Sequence, residues 1–146
     1  MIIAVLNGPN LNLLGIREPE LYGRATLADI EERLKQLGRE LGIDLEFAQH
    51  NGEGELIDAI HGMRGRVAGA LVNAGAYSHS SLAIRDALIG VAIPFIEVHL
   101  TNTFARERER RRSMLASAAV GVVCGLGAYG YEVALRGLVA HLKQDG

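Results

Sequence analysis

Two kinds of side chain in this sequence are candidates to move protons: the imidazoles of His50, His79 and His99, and a small set of tyrosines. His99 stands in Glu97-Val98-His99, at the end of an apolar run. In an extended strand, residues two apart point to the same side, so Glu97 would lie beside the imidazole. A carboxylate there orients the ring and favours its protonated form, as a general acid requires. Tyr22 could serve as a base only as the phenolate. With a reference pKa near 10, that needs neighbouring cations. Arg17 and Arg24 flank it in sequence, and Arg106 or Arg110 could approach from a later segment. The two lysines, Lys35 and Lys143, both fall in amphipathic helical patterns away from the strand ends, which argues against Schiff-base chemistry. There is no Gly-x-Ser-x-Gly elbow and no Cys/His cluster at zinc spacing.

The elements that must position these groups are legible from periodicity. Strand-like runs occupy 2–6, 45–48, 69–73, 95–100 and 119–124. Helical patterns occupy 27–41, 55–64, 81–90, 105–115 and 132–142. Thr26 with Asp29 reads as a capping box, and Gly42 as a helix terminator. Strands alternating with helices imply a parallel sheet covered on both faces. For five strands, the natural expectation is an α/β flavodoxin-like three-layer sandwich of order 2-1-3-4-5, formed by a single domain over 1–146. Such sheets bind ligands beyond the carboxyl ends of the strands. There the sequence places Asn7-Gly8-Pro9-Asn10, Gln49-His50-Asn51, Asn73 to His79, His99 to Asn102 and Gly125-Leu126-Gly127. A phosphorelay receiver would need acidic residues after strand one and a lysine after strand five. Asn7 and Gly125 stand there instead.

The connection from Asn7 to Ala25, about 19 residues before a helix begins, exceeds the usual loop length of roughly 12–15. It carries Asn10, Arg17 and Tyr22, which fits an active-site lid. The run Arg106 to Arg112 is expected to be helical, with Arg106 and Arg110 on one face. Glu107 would pair with Arg111, and Glu109 with Arg112. Gly125-Leu-Gly-Ala-Tyr-Gly130 matches G-x-G-x-x-G but follows the last strand, so a turn and close helix packing explain it better than a dinucleotide.

Gross composition narrows the function. A net charge of −2 with 22% charged residues argues against nucleic acid or an anionic membrane as the main partner. No 18-residue apolar run and no signal-like N-terminus occur, and a single cysteine, Cys124, suits a reducing cytoplasm. Aromatic residues are 5% with no tryptophan, which offers few rings to a flavin. A non-enzymatic ligand-binding module on the same fold is the alternative from another class.

Taken in order, several segments resemble the type II 3-dehydroquinate dehydratases. They are Asn7 to Gly15 with Arg17-Glu-Pro19 and Tyr22-Gly23, Asn73 to His79, Ala83 to Ala87, Glu97 to Asn102, Arg106 to Ser113 and Gly125 to Tyr131. The resemblance runs from residue 2 to about 140. It implies anti elimination of water from 3-dehydroquinate, through an enolate, to 3-dehydroshikimate in the shikimate pathway, with no cofactor and no metal. It implies Tyr22 as base, Arg17 as its electrostatic partner, Asn10 as holder of the enolate's water, and His99 as acid oriented by Glu97. Substrate binding falls to Asn73, His79, Asp86, Leu100, Thr101 and Arg110, with Arg106 supporting Tyr22. The family's homododecamer, a tetramer of trimers, brings the match to Asp86 toward a neighbouring subunit's site. His50, Ala74, Ser78 and Thr101 depart from the commoner residues; Ser78 and Thr101 keep a hydroxyl, and His50 is expected to be neutral to catalysis.

Overall fold

The computed structural model describes residues 1–144; Asp145 and Gly146, at the end of the expected domain, lie outside the described residues. Five parallel strands form one sheet in the order β2-β1-β3-β4-β5. They are β1 (Ile2–Asn7), β2 (Asp44–Gln49), β3 (Gly69–Asn73), β4 (Phe95–His99) and β5 (Gly121–Cys124). The α-helices are α1 (Pro19–Tyr22), α2 (Leu27–Leu41), α3 (Glu53–Gly62), α4 (Leu82–Val91) and α5 (Tyr129–Gln144). The expected sheet order is therefore the observed one.

Alternation along the strands divides the core in two. Ile3, Val5, Leu71, Ile96 and Val98 pack against α2 and α5, through Ile30, Leu34, Leu37, Leu135 and Leu138. Ala4, Leu6, Ala70, Val72 and Phe95 pack against α3 and α4, through Leu56, Ile60, Ile84 and Leu88. Each fully buried leucine of this kind contributes about 1.5–3 kcal/mol relative to exposure. Helix α2 starts at the expected capping box, with Thr26 and Asp29 exchanging side-chain-to-backbone hydrogen bonds, and Gly42 ends it at φ 70°. Among the described residues no helix is long and apolar enough to cross a membrane.

Two expectations fail. Residues 105–115 do not form an α-helix: the β4–β5 connection consists of short 3-10 turns at Thr103–Ala105, Arg108–Arg110 and Ala116–Ala118. Nothing from Arg106 to Ser113 is apolar, so a helix there would have no face to bury, and a short helix without packing is marginal in water. The pairs Glu107–Arg111 and Glu109–Arg112 and the shared face of Arg106 and Arg110 go with it. Glu107 contacts Arg106 at 3.6 Å and pairs closely with Arg110 instead. The long β1–α2 connection is likewise not structureless. It holds a 3-10 turn at Leu11–Leu13 and the one-turn helix α1, opened by Pro19 and closed at Gly23 (φ 84°).

Candidate active site

All five strands point their carboxyl ends to one rim, where register sets Asn7 beside both Gln49 and Asn73, and His99 beside Cys124. Close approach of two chains opens the site. A Cβ at Gly8 would lie 2.5 Å from the Ala74 carbonyl oxygen, so only glycine passes here. Gly8 then donates its amide to the Asn73 carbonyl at 2.8 Å. Asn10 follows in the left-handed conformation, φ 69°, and donates its amide to Asn51 Oδ1 at 3.1 Å. Gln49 Nε2 holds that same Asn51 oxygen at 3.0 Å and the Gly8 carbonyl at 3.1 Å. The turn carrying Asn10 is thus fixed by the end of β2.

Helix α1 delivers Tyr22 as its last residue. Arg106 donates from Nη1 to the Tyr22 hydroxyl at 3.1 Å and to Thr101 Oγ1 at 3.2 Å. The Arg106 and Arg17 guanidinium carbons lie 5.4 and 4.9 Å from the Tyr22 ring centroid. Two cations therefore flank one phenol. Arg17 and Arg106 supply them. Arg24 lines an adjoining groove instead, and Arg110 reaches the cavity from its pair with Glu107.

Strand β4 carries the other half of the chemistry. It is buried throughout, yet includes Glu97 at 1% exposure and His99 at 7%. A buried carboxylate is costly unless paired and hydrogen-bonded. Glu97 Oε2 contacts His99 Nε2 at 2.5 Å, and Glu97 Oε1 accepts from the Ser113 hydroxyl at 2.6 Å. Glu97 and His99 do share one side of the strand. With Nε2 engaged, Nδ1 is the His99 nitrogen left to serve the cavity.

His79 stacks on His99, with ring centroids 5.8 Å apart. Its Nδ1–H donates to the Arg112 carbonyl at 2.7 Å, because a carbonyl only accepts. Burial holds its imidazole below the ordinary range, opposed by that carbonyl and reinforced by His99 and Arg110. Asn73 accepts from the Gly75 amide at 3.2 Å and donates to the Tyr131 hydroxyl at 2.9 Å. Tyr131 in turn donates to Asn7 Oδ1 at 2.6 Å. Burial pushes the Tyr131 phenol well above its ordinary range, which keeps it a neutral bridge.

Asn10, Arg17, Tyr22, Asn73, His79, His99, Leu100, Thr101, Arg106 and Arg110 line one cavity. Glu97 stands behind His99. Asp86 is not brought in: it lies on α4 in a separate groove with His61 and Arg64. His50 contacts Glu55 at 3.6 Å, outside the residues lining the cavity. Gly125 and Gly127 have positive φ, and a Cβ at Gly130 would lie 3.4 Å from Val123 Cγ1, the turn and close packing expected of that motif. Among the described residues no group of three His, Cys, Asp or Glu is placed to hold a metal.

Sequence reading assigned no role to Ser113, Tyr131 or Asn51. Tyr131 carried a signal: it shares a helical stripe with Leu135 and Leu138, and a buried phenol must find a partner. Ser113 and Asn51 carried none, since the partners that tie them to the site, Glu97 and Asn10, lie 16 and 41 positions away.

The arrangement sets a cation-flanked phenol and a carboxylate-backed imidazole around one cavity. That combination suits proton removal at one carbon and proton donation to a leaving group. Comparisons with known proteins agree. The family model described as dehydroquinase class II matches residues 1–139. A 3-dehydroquinate dehydratase of Gemmatimonas aurantiaca is 64% identical over 143 residues, covering 98% of this chain and 94% of that one. The type II dehydroquinase structure from Propionibacterium acnes superposes with a TM-score of 0.90 at 44% identity, over 95% of this chain and 96% of that one. That from Butyrivibrio crossotus gives 0.92 at 39%, over 96% and 97%. The chain belongs to the class II dehydroquinase family.

Proposed function

We propose that the protein is a hydro-lyase that converts 3-dehydroquinate to 3-dehydroshikimate in the shikimate pathway, through one catalytic domain spanning 1–146. The observation that carries this is the Tyr22 hydroxyl, held by Arg106 and flanked by Arg17, in the cavity that His99 enters with Glu97 behind it. Tyr22, as phenolate, takes the proton from the carbon α to the ketone. The C–H electron pair moves into an enolate, whose oxygen is held through a water near Asn10. The enolate collapses, the C–O bond at the β carbon breaks, and His99 gives its proton to the departing hydroxyl as water. Tyr22 has then gained a proton and His99 has lost one, so one proton returns through solvent to reset the site. No electron acceptor and no metal enter this balance.

Arg17 and Arg106 favour the phenolate, and Glu97 favours the imidazolium. Asn73, His79 and Arg110 suit the substrate's hydroxyls, and the Leu100–Thr101 segment suits its carboxylate. Asp86 belongs in this reading only if subunits assemble, as in the expected homododecamer built of trimers. The protein would act in the cytoplasm. The same reaction would serve quinate breakdown. A non-catalytic binding module would have no use for a buried carboxylate–imidazole pair.

The test is ultraviolet detection of the conjugated enone when purified protein meets 3-dehydroquinate, insensitive to chelators and to borohydride. Tyr22→Phe keeps the ring and the fold, so activity should fall by orders of magnitude. A fully active Tyr22→Phe protein removes the mechanism.

A further inference from the structure

One group in direct contact with this machinery has no role in the reaction as derived. Ser113 lies in the β4–β5 connection, fourteen positions from His99, and is not among the residues lining the cavity. Its hydroxyl is fully committed. It accepts from the Leu115 amide at 3.0 Å and the Ala116 amide at 3.1 Å, and its single proton goes to Glu97 Oε1 at 2.6 Å. The opposite carboxylate oxygen holds His99 Nε2 at 2.5 Å.

A glutamate carboxyl turns easily about its last torsion, which has a broad, roughly two-fold profile. One hydrogen bond to His99 would leave the plane of the carboxylate free to swing about that contact. A second bond, to the other oxygen, removes the freedom. The two backbone amides also polarise the serine hydroxyl toward Glu97, which strengthens the bond and spreads the buried negative charge. We propose that Ser113 is a positioning residue that locks the Glu97 carboxylate plane and thereby aims the His99 imidazole for proton delivery. This rests on His99 being the acid of the dehydratase reading.

Ser113→Ala should leave KM within about twofold of the parent, because Ser113 binds no substrate. It should lower kcat roughly ten- to hundredfold, the worth of one hydrogen bond to a charged group. Ser113→Thr keeps the hydroxyl and should recover most of the loss. In a Glu97→Gln background the serine should matter little, since the carboxylate it locks is gone. Independently of turnover, nitrogen NMR of the neutral His99 ring, recorded at alkaline pH, should show one tautomer, protonated at Nε2, in the parent and a mixture in Ser113→Ala.

Parent kcat in Ser113→Ala overturns the proposal, as does an equal, additive loss in the Glu97→Gln background, which would leave Ser113 a turn residue only. If Ser113→Ala does not fold, Ser113→Cys decides. Its sulfur still accepts from the turn amides but donates weakly, so low kcat supports the proposal and parent kcat overturns it. A parent that forms no enone defeats the dehydratase reading, while the His99 spectrum still judges Ser113.

Discussion

Replacing Arg106 by glutamine removes the cation bonded to the Tyr22 hydroxyl while keeping most of the side chain's length. The contact is 3.1 Å. At that separation a full charge pair gains about 1.3 kcal/mol in water and about 5 kcal/mol at the effective dielectric of a protein site. Arg106 is only 13% exposed, which favours the upper part of that range, but Glu107 at 3.6 Å offsets part of its charge. Arg17 remains over the ring. A net loss of about 2–3 kcal/mol in phenolate stabilisation follows, in line with a charge-assisted hydrogen bond. That corresponds to a roughly 30- to 150-fold lower kcat near neutral pH. The deficit has a signature. It arises from lost charge, so Arg106→Lys, which restores a cation, should recover more of the rate than Arg106→Gln does. Initial rates of enone formation for parent and both variants at saturating substrate measure it. A glutamine variant with parent kcat refutes the electrostatic role. Equal deficits in the two variants refute it too, because a purely positional defect would not respond to restored charge.

Two further outcomes concern His79, which lines the cavity, and Tyr131 behind it. His79 is held below its reference of 6.5, so between that value and its folded one the unfolded chain binds more protons. Stability should therefore fall as pH drops below 6.5, and His79→Asn should lose less over that window; parallel urea-midpoint curves would contradict this. Tyr131→Phe strands Asn7 Oδ1 and an Asn73 amide hydrogen, at a cost of about 1–3 kcal/mol, or a Tm lower by roughly 2–12 °C. Because Asn73 also faces the cavity, KM should rise more than kcat falls, and an unchanged Tm would deny the bridge its place.

The strands and packed helices were readable because their signals are local. Gly69–Asn73 is apolar and short, and Leu27–Leu41 repeats leucine at helical spacing between a capping box and a glycine. Their ends shifted by up to three residues, the largest at α5, which begins at Tyr129 rather than 132. The rim of strand ends, and with it most of the cavity, followed from the parallel topology. The expected helix over 105–115 failed because charge spacing resembles a helix even where nothing apolar can be buried. The same failure hid Ser113. Its partner Glu97 is sixteen residues earlier, and only the folded connection brings them together. Tyr22 was legible as a base only through resemblance, since the guanidinium on its hydroxyl comes from 84 residues away.

The missing helix between β4 and β5 has a consequence for which changes the chain tolerates. That connection is anchored by Arg106 on Tyr22, the Arg112 carbonyl on His79, Ser113 on Glu97 and Arg85 on the Met114 carbonyl. Three of these four anchors are also contacts of residues in the catalytic site. In a helical crossover, activity and order could drift separately, because burial would hold the segment whatever its tips did. Here they are written in the same bonds. Exposed Arg108 and Glu109 are free to vary, whereas a change at an anchor alters the chemistry and loosens its own scaffold together.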